Sequence, residues 1–271
     1  MLPLWRDRLL VIISPDRLVL ERISGRLRPK RTIKKIQLVN NATNNWQPAL
    51  HALDEIMRAN AQWQTLDVSV LLSNHFVRYQ LLPWSTAITN AHEQSAYARA
   101  CFSQVYGEHA AAWVYAISPS RYAQAWLSSA IDQALLVQLE ETIQQTQSRL
   151  VALTPHLTPA YQQLRRITTA KNLWFVQVEK HKLVLLLIIA NHWQIISSHL
   201  IGTEQWQHTL TQLLEREWRL HGTGILPRKV IIANDETQPM PVDAAGLWQF
   251  EPMPPLLRQG FNSLFTHSET A

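Results

Sequence analysis

Two stretches of this chain, separated by about 160 residues, repeat one order of hydrophobic periods, and that repetition restricts the fold more than any other feature. The first opens with an apolar run at 9–13, turns at Ser14, Pro15, Asp16 and Arg17, returns through the alternating residues 17–23 and continues into a third extended run at 32–39. Proline presets φ and aspartate bonds its own backbone, so Pro15 and Asp16 suit a tight turn. From Asn45 the period becomes helical, with Trp46, Ala49, Leu50, Leu53, Ile56 and Met57 on one face and Asn44 or Asn45 as cap, and 66–72 reads as a strand. The second stretch runs the same way. Strand 173–178, a turn at Glu179, Lys180 and His181, strand 182–190, a turn at Asn191 and His192, and strand 193–200 lead to a helix. Thr203 caps that helix, Trp206, Leu210, Leu213, Leu214 and Trp218 line its inner face, and 228–233 returns as a strand. The run 183–190, the longest uninterrupted apolar stretch, suits the centre of a sheet and falls far short of the ~20 residues that span a bilayer.

The predicted fold is therefore α/β, built from two βββαβ units. Its expected division is 1–165 for the first half, 166–250 for a shorter second half, and 251–271 for a Pro-rich spacer with an amphipathic tail. The spacer holds Pro252, Pro254 and Pro255, and the tail carries Leu256, Leu257, Phe261, Leu264 and Phe265. Between the units lie strand 76–82 ending at Pro83 and Trp84, helix 91–106, strands 113–117 and 122–129, and a helix capped by Asp132 with Leu135, Leu136, Leu139 and Ile143 on one face. Strand 149–153 and a short helix from Pro155 to Arg166 close the first half.

Composition narrows the chemistry. Glycine numbers 7 in 271 residues, against a usual share of about 7%, and phosphate-cradling loops need glycine wherever backbone approaches the ligand. The GxSxG, Walker A and GxGxxG patterns are absent, and Gly222 and Gly224 read as a helix end and its loop. A single cysteine, Cys101, permits no internal disulfide and sits on a helix face with Ala98, Phe102 and Val105 as a structural thiol, which fits a reducing compartment. The 11 histidines include no HxH, HxxxH or HExxH spacing, so no metal site is expected. Adjacent acids such as Glu140 and Glu141 point about 100° apart on a helix and do not make a general acid/base pair. Of the 11 tryptophans, Trp46, Trp113, Trp174, Trp206 and Trp218 fall on expected inner faces. Trp5, Trp63, Trp84 and Trp126 lie near element ends, where an indole can anchor a partner.

Charge is concentrated. Arg22, Arg26, Arg28, Lys30, Arg31, Lys34 and Lys35 occur with no acid between Glu21 and Asp54, and the net +5 belongs to that segment. Two readings stand: contact with anionic lipid or an acidic partner, or an edge strand whose lysines discourage pairing. Nucleic acid is not expected, because no aromatic residue lies among these cations to stack on a base.

Three stretches carry a resemblance. They are the strand pair Leu71-Leu72-Ser73-Asn74-His75-Phe76-Val77-Arg78-Tyr79-Gln80-Leu81-Leu82-Pro83-Trp84, the helix, strand and L-x-P step of 133–155, and His199-Leu200-Ile201-Gly202-Thr203 with the Trp- and Leu-faced helix that follows. With the doubled unit, they resemble the ribonuclease H-like halves of the two-domain actin-like fold shared by actin, sugar kinases and Hsp70. Within it the chain is similar to cytoplasmic pilus and type II secretion assembly proteins of the PilM, MshI and GspL kind. That resemblance implies a cytoplasmic protein, peripheral to the inner membrane through a partner's cytosolic tail, as PilM binds PilN. A cleft between the halves would accept the tail, with Arg26, Arg28, Lys30, Arg31, Lys34 and Lys35 facing acidic headgroups or an acidic tail. The absence of a transmembrane segment favours the PilM or MshI arrangement over GspL, and homo-oligomerisation stays open.

The superfamily holds Mg²⁺ and ATP in its two hairpin turns with an acid, glycine amides and hydroxyls. Here those positions carry Ser14 and Asp16, then Glu179 and His181; neither turn has glycine and Pro15 lacks an amide hydrogen. The expectation is a non-catalytic scaffold without nucleotide. The alternative is a diverged actin-like ATPase or kinase whose phosphate contacts come from elsewhere.

Overall fold

A computed structural model describes residues 6–24, 30–39, 45–118, 122–202, 206–234, 239–242 and 246–254, and the backbone only of 30–32. Strand β1 (Arg8–Ile13) is buried beyond Arg8 because it lies between two neighbours. Antiparallel β2 (Arg17–Ser24) pairs on one side, and β4 (Asp67–Leu72) pairs parallel on the other. Strand β3 (Lys30–Leu38) adds to β2, and β8 (Arg149–Pro155) adds to β4, giving the order β3-β2-β1-β4-β8. The second sheet repeats this with β9 (Leu173–Glu179), β10 (Lys182–Ile189), β11 (His192–Leu200), β12 (Lys229–Asn234) and β13 (Gln249–Pro252) in the order β11-β10-β9-β12-β13. Each central strand has one antiparallel and one parallel neighbour in both sheets. The duplicated grammar of the sequence is thus a duplicated topology.

The helices are α1 (Gln47–Ala59), α2 (Ala91–Tyr106), α3 (Gln133–Gln144), α4 (Leu157–Ile167) and α5 (Trp206–His221). A third sheet of β5 (Val77–Leu82), β7 (Trp126–Asp132) and β6 (Trp113–Ser118) has the order β5-β7-β6. The chain forms two compact units. One comprises Met1–Arg78, Val105–Tyr115 and Ala130–His156, and the other comprises Tyr79–Gln104, Ala116–Ser129 and Leu157–Ala271. The sequence reading cuts the chain once near residue 165, whereas these units interleave and divide the three short strands between them.

In the first unit, α1 packs against α3 and β2. It buries Leu50, Leu53 and Met57, while α3 buries Leu135, Leu139 and Ile143. In the second, Leu183, Leu185 and Leu187 of β10 join Trp174, Trp206, Leu210 and Leu214 in one core, while Val184, Leu186 and Ile188 are buried on the opposite face. Both faces of β10 are covered, which is why its sequence is a continuous apolar run rather than an alternation. Each such leucine contributes about 1.5–3 kcal/mol.

Five local expectations change. The strand expected at 122–129 lies at Trp126–Asp132, because Ala123 takes a left-handed φ of 60° and keeps the turn going. The turn before β11 is centred on Ala190 and Asn191, with φ of 51° and 68°, the pattern of a tight hairpin turn. Helix α1 starts after Trp46, which makes no side-chain cap bond; Asn45 instead accepts the Trp46 N–H at 2.7 Å. Glu251 and Pro252, expected in a spacer, pair parallel with β12, and buried Met253 follows them. Proline is tolerated there because β13 is an edge strand. Trp63 and Trp126 are buried rather than offered to a partner, whereas Trp46 and Trp113, expected in the core, are half-buried. Thr203, Trp5 and the tail residues 255–271 lie outside the described residues.

Candidate partner-binding pocket

The first unit holds a pocket of about 310 Å³ built where β4 gives way to β5. Ser73 follows β4, donates its N–H to Ile13 O at 2.9 Å and accepts the His75 N–H on its hydroxyl at 3.2 Å, which forces one 3-10 turn over Asn74–Phe76. The same hydroxyl lies 3.0 Å from His75 Nδ1, so the imidazole is held in place. Strand alternation then buries Val77 and turns Arg78 the other way. Arg78 donates to His75 O at 3.4 Å, and its guanidinium carbon lies 5.7 Å from the centre of the Trp113 ring. Trp113 starts β6 and is met edge-on by Tyr106 at 5.0 Å and 68°.

Trp46 before α1, Phe76, Ala130 and Ile131 complete the apolar wall, and Asp132 closes it. One Asp132 oxygen accepts the Ala134 N–H at 2.9 Å and caps α3, as the sequence predicts. Among the described residues no carboxylate stands within ion-pair distance of Arg78. Three aromatic rings, a guanidinium, an imidazole and a carboxylate around one opening suit anchored polypeptide side chains: rings bury apolar groups and the cation takes an acid. The sequence reading missed this grouping. Its one signal was Trp46 and Trp113, two indoles at the starts of elements.

The hairpin turns come out differently. Around Ser14, the backbone N–H is spent on Arg17 O at 3.0 Å, Pro15 is buried without an N–H, and Asp16 O accepts from Val39 at 2.8 Å. In the second turn His181 occupies φ 61° where glycine would be unstrained, and its carbonyl accepts from Ile201 at 2.9 Å. Burial raises the Tyr79 phenol well above its ordinary value, and the charge of Glu179 adds to that shift, so Glu179 faces a phenol. Lys182 is buried at 6% exposure. In the first turn the Ser14 N–H is spent on Arg17 O and Pro15 has none, and neither turn carries a glycine whose backbone a phosphate could approach.

Of the basic segment, Arg22 is engaged internally, donating to Asp7 at 2.7 and 3.1 Å and to Gln62 O at 2.7 Å. Arg26 and Arg28 lie outside the described residues, Lys30 and Arg31 are placed by backbone in β3, Lys34 is exposed and Lys35 half-buried. Cys101 is buried as expected, and burial pushes its thiol pKa up, which makes it a poor nucleophile. Among the described residues no three His, Cys, Asp or Glu side chains gather as metal ligands, and no helix is long and apolar enough to cross a membrane.

No protein-family model and no curated protein matches this chain. Solved structures do. A PilM-PilN type IV pilus biogenesis complex aligns over 92% of this chain and 88% of the other, at a TM-score of 0.62 and 13% identity. The cytoplasmic domain of EpsL, an inner-membrane component of the type II secretion system of Vibrio cholerae, covers 93% and 92%, at 0.56 and 9%. A Bacteroides thetaiotaomicron protein with the actin-like ATPase fold and unknown function covers 86% and 83%, at 0.56 and 10%. The fold is the actin-like one. Its two halves are the two five-stranded sheets, each opening with the hairpin described above.

Proposed function

We propose that this actin-like chain is a non-catalytic assembly component of a type IV pilus or type II secretion machine, acting at the cytoplasmic side of the inner membrane by holding the cytosolic tail of a membrane partner. The observation that carries the reading is the likeness to PilM in its complex with PilN along nearly the full length of both chains. The aromatic pocket supplies a chemically suited seat for the tail, with Trp46 and Trp113 as anchors and Arg78 for an acidic group. In the first hairpin turn the engaged Ser14 N–H and the missing N–H of Pro15, with no glycine beside them, support a role without nucleotide.

A photo-crosslinking amino acid at Trp46 or Trp113, in cells, tests this. The expected product joins the chain to an inner-membrane pilus or secretion protein, and Arg78→Glu reduces its yield at least ~10-fold, a coupling of about 1.4 kcal/mol. Crosslinks to unrelated soluble proteins alone would refute tail binding. Tight, Mg²⁺-dependent ATP binding by calorimetry, weakened by Asp16→Ala, would overturn the non-catalytic reading in favour of a diverged ATPase.

A further inference from the structure

Strand β3 stands at the edge of the first sheet, and among the described residues no strand pairs with its outer side. A bulge between Arg22 and Ile23 of β2 leaves Thr32 as the extra residue, after which Ile33–Leu38 pairs regularly with residues 17–22. That regular stretch offers about 20 Å of straight edge. Its even positions project Lys34, Ile36 and Leu38 to one side; Ile36 is 58% and Leu38 77% exposed, and Lys34 is exposed beside them. Neither Lys34 nor Lys35 has an ion-pair partner among the described residues.

Edge lysines ordinarily discourage strand pairing, and two observations oppose that role here. The matching edge strand of the second half, β11, has the sequence HWQIISSHL with no lysine or arginine, so this fold does not require cationic protection at that edge. A protected edge would also not leave two large aliphatic side chains exposed on the strand it protects.

We propose that β3 accepts an extended acidic segment of another protein as an added strand, with carboxylates opposite Lys34 and Lys35 and apolar residues over Ile36 and Leu38. Charge selects this occupant. A second copy of the chain pairing symmetrically about the same stretch would set Lys34 and Lys35 against themselves, and like charges across a ladder are destabilising. An anionic membrane would meet the lysines but leave the outward peptide groups of β3 without the ladder that a strand supplies. The surface shares no residue with the aromatic pocket and does not depend on the tail-binding reading.

The probe is a fluorescent twelve-residue peptide with one half of consecutive glutamates, two of which meet Lys34 and Lys35 on the two faces, and one half of alternating valine and threonine, whose valines lie over Ile36 and Leu38. Fluorescence anisotropy is expected to show saturable binding that Lys34→Glu with Lys35→Glu weakens at least ~10-fold, and that methylating alternate peptide nitrogens of the probe abolishes. Hydrogen exchange should slow at amides of 33–38 in the complex. Equal binding of a soluble poly-glutamate of the same charge, retained binding of the methylated probe, absence of saturable binding, or tighter binding to phosphatidylserine vesicles than to the probe would each overturn the proposal. The reversal sits on exposed or half-buried side chains of an edge strand, and unchanged circular dichroism would exclude unfolding as the cause of a loss.

Discussion

Gly222→Ala tests how the second half closes its helix. Gly222 follows α5, donates its N–H to Trp218 O at 2.8 Å, and lies under the Trp218 indole. A Cβ there would stand 2.2 Å from Trp218 Cε3, 2.3 Å from Cδ2 and 2.6 Å from Trp218 O. Carbon pairs rest at about 3.5–4.0 Å, so the ring must move by more than ~1 Å. It cannot swing freely, because it packs against the core of Trp174, Leu210 and Leu214. The carbonyl is also fixed by its own hydrogen bond. Overpacking of this kind costs about 1–3 kcal/mol, and the entropy removed from the unfolded chain returns less than ~1 kcal/mol. A net loss of about 1–1.5 kcal/mol corresponds to a fall of roughly 2–6 °C in Tm for a chain of this size.

Thermal unfolding followed by circular dichroism gives the value, and a double-mutant cycle gives the cause. With Trp218→Ala present, adding Gly222→Ala should cost less than half as much, since the clashing ring is gone and only the carbonyl contact remains. Gly224 is the control: its φ is 80° with nothing near the position of a Cβ, so Gly224→Ala is destabilising through backbone strain and Trp218→Ala gives no relief. A Gly222→Ala protein as stable as the parent, or strict additivity with Trp218→Ala, would refute the crowding argument.

Two further outcomes follow from local chemistry. His199 on β11 lies 3.4 Å from Glu217 of α5 and 3.0 Å from the Ser197 hydroxyl, with Arg216 nearby. Burial lowers its pKa first, Glu217 opposes and Arg216 assists. Below the ordinary value of about 6.5 the unfolded chain takes up a proton that the folded one resists, so stability falls as pH drops through that window and is fully present above it. His199→Gln should therefore flatten the decline of the urea midpoint between pH 7.5 and 5.5, and an unchanged slope would refute the assignment. Asp132→Ala should cost about 1 kcal/mol by removing the cap on Ala134 N–H, while Asp132→Asn should cost only a few tenths, both read from urea unfolding.

The parts of the fold legible in the sequence share one property: their signal is carried within the element. Helix α2 begins at Ala91 and ends at Tyr106 where periodicity puts it, and Asp132 caps α3 because its oxygen needs only an amide two residues away. Strands β9 and β10 announced themselves by apolar runs that only a covered sheet can bury. The errors lie where a partner decides. Strand β13 has the composition of a linker and becomes a strand because β12 offers it an edge, and the burial of Trp63 and Trp126 depends on what packs over them.

The sequence alone determined a doubled β-hairpin grammar, the strands and helices that express it, a scarcity of glycine in the two opening turns, and a cationic run ending at Lys35. These follow from periodicity and backbone preference, which act over a few residues. Only the tertiary structure decided that Trp46, His75, Arg78, Trp113 and Asp132 surround one opening, that Arg22 is committed to Asp7, and that Ile36 and Leu38 stay exposed on an edge. Which face of an element is covered depends on neighbours brought in from distant chain positions, and one chain's order of residue types does not encode that distance.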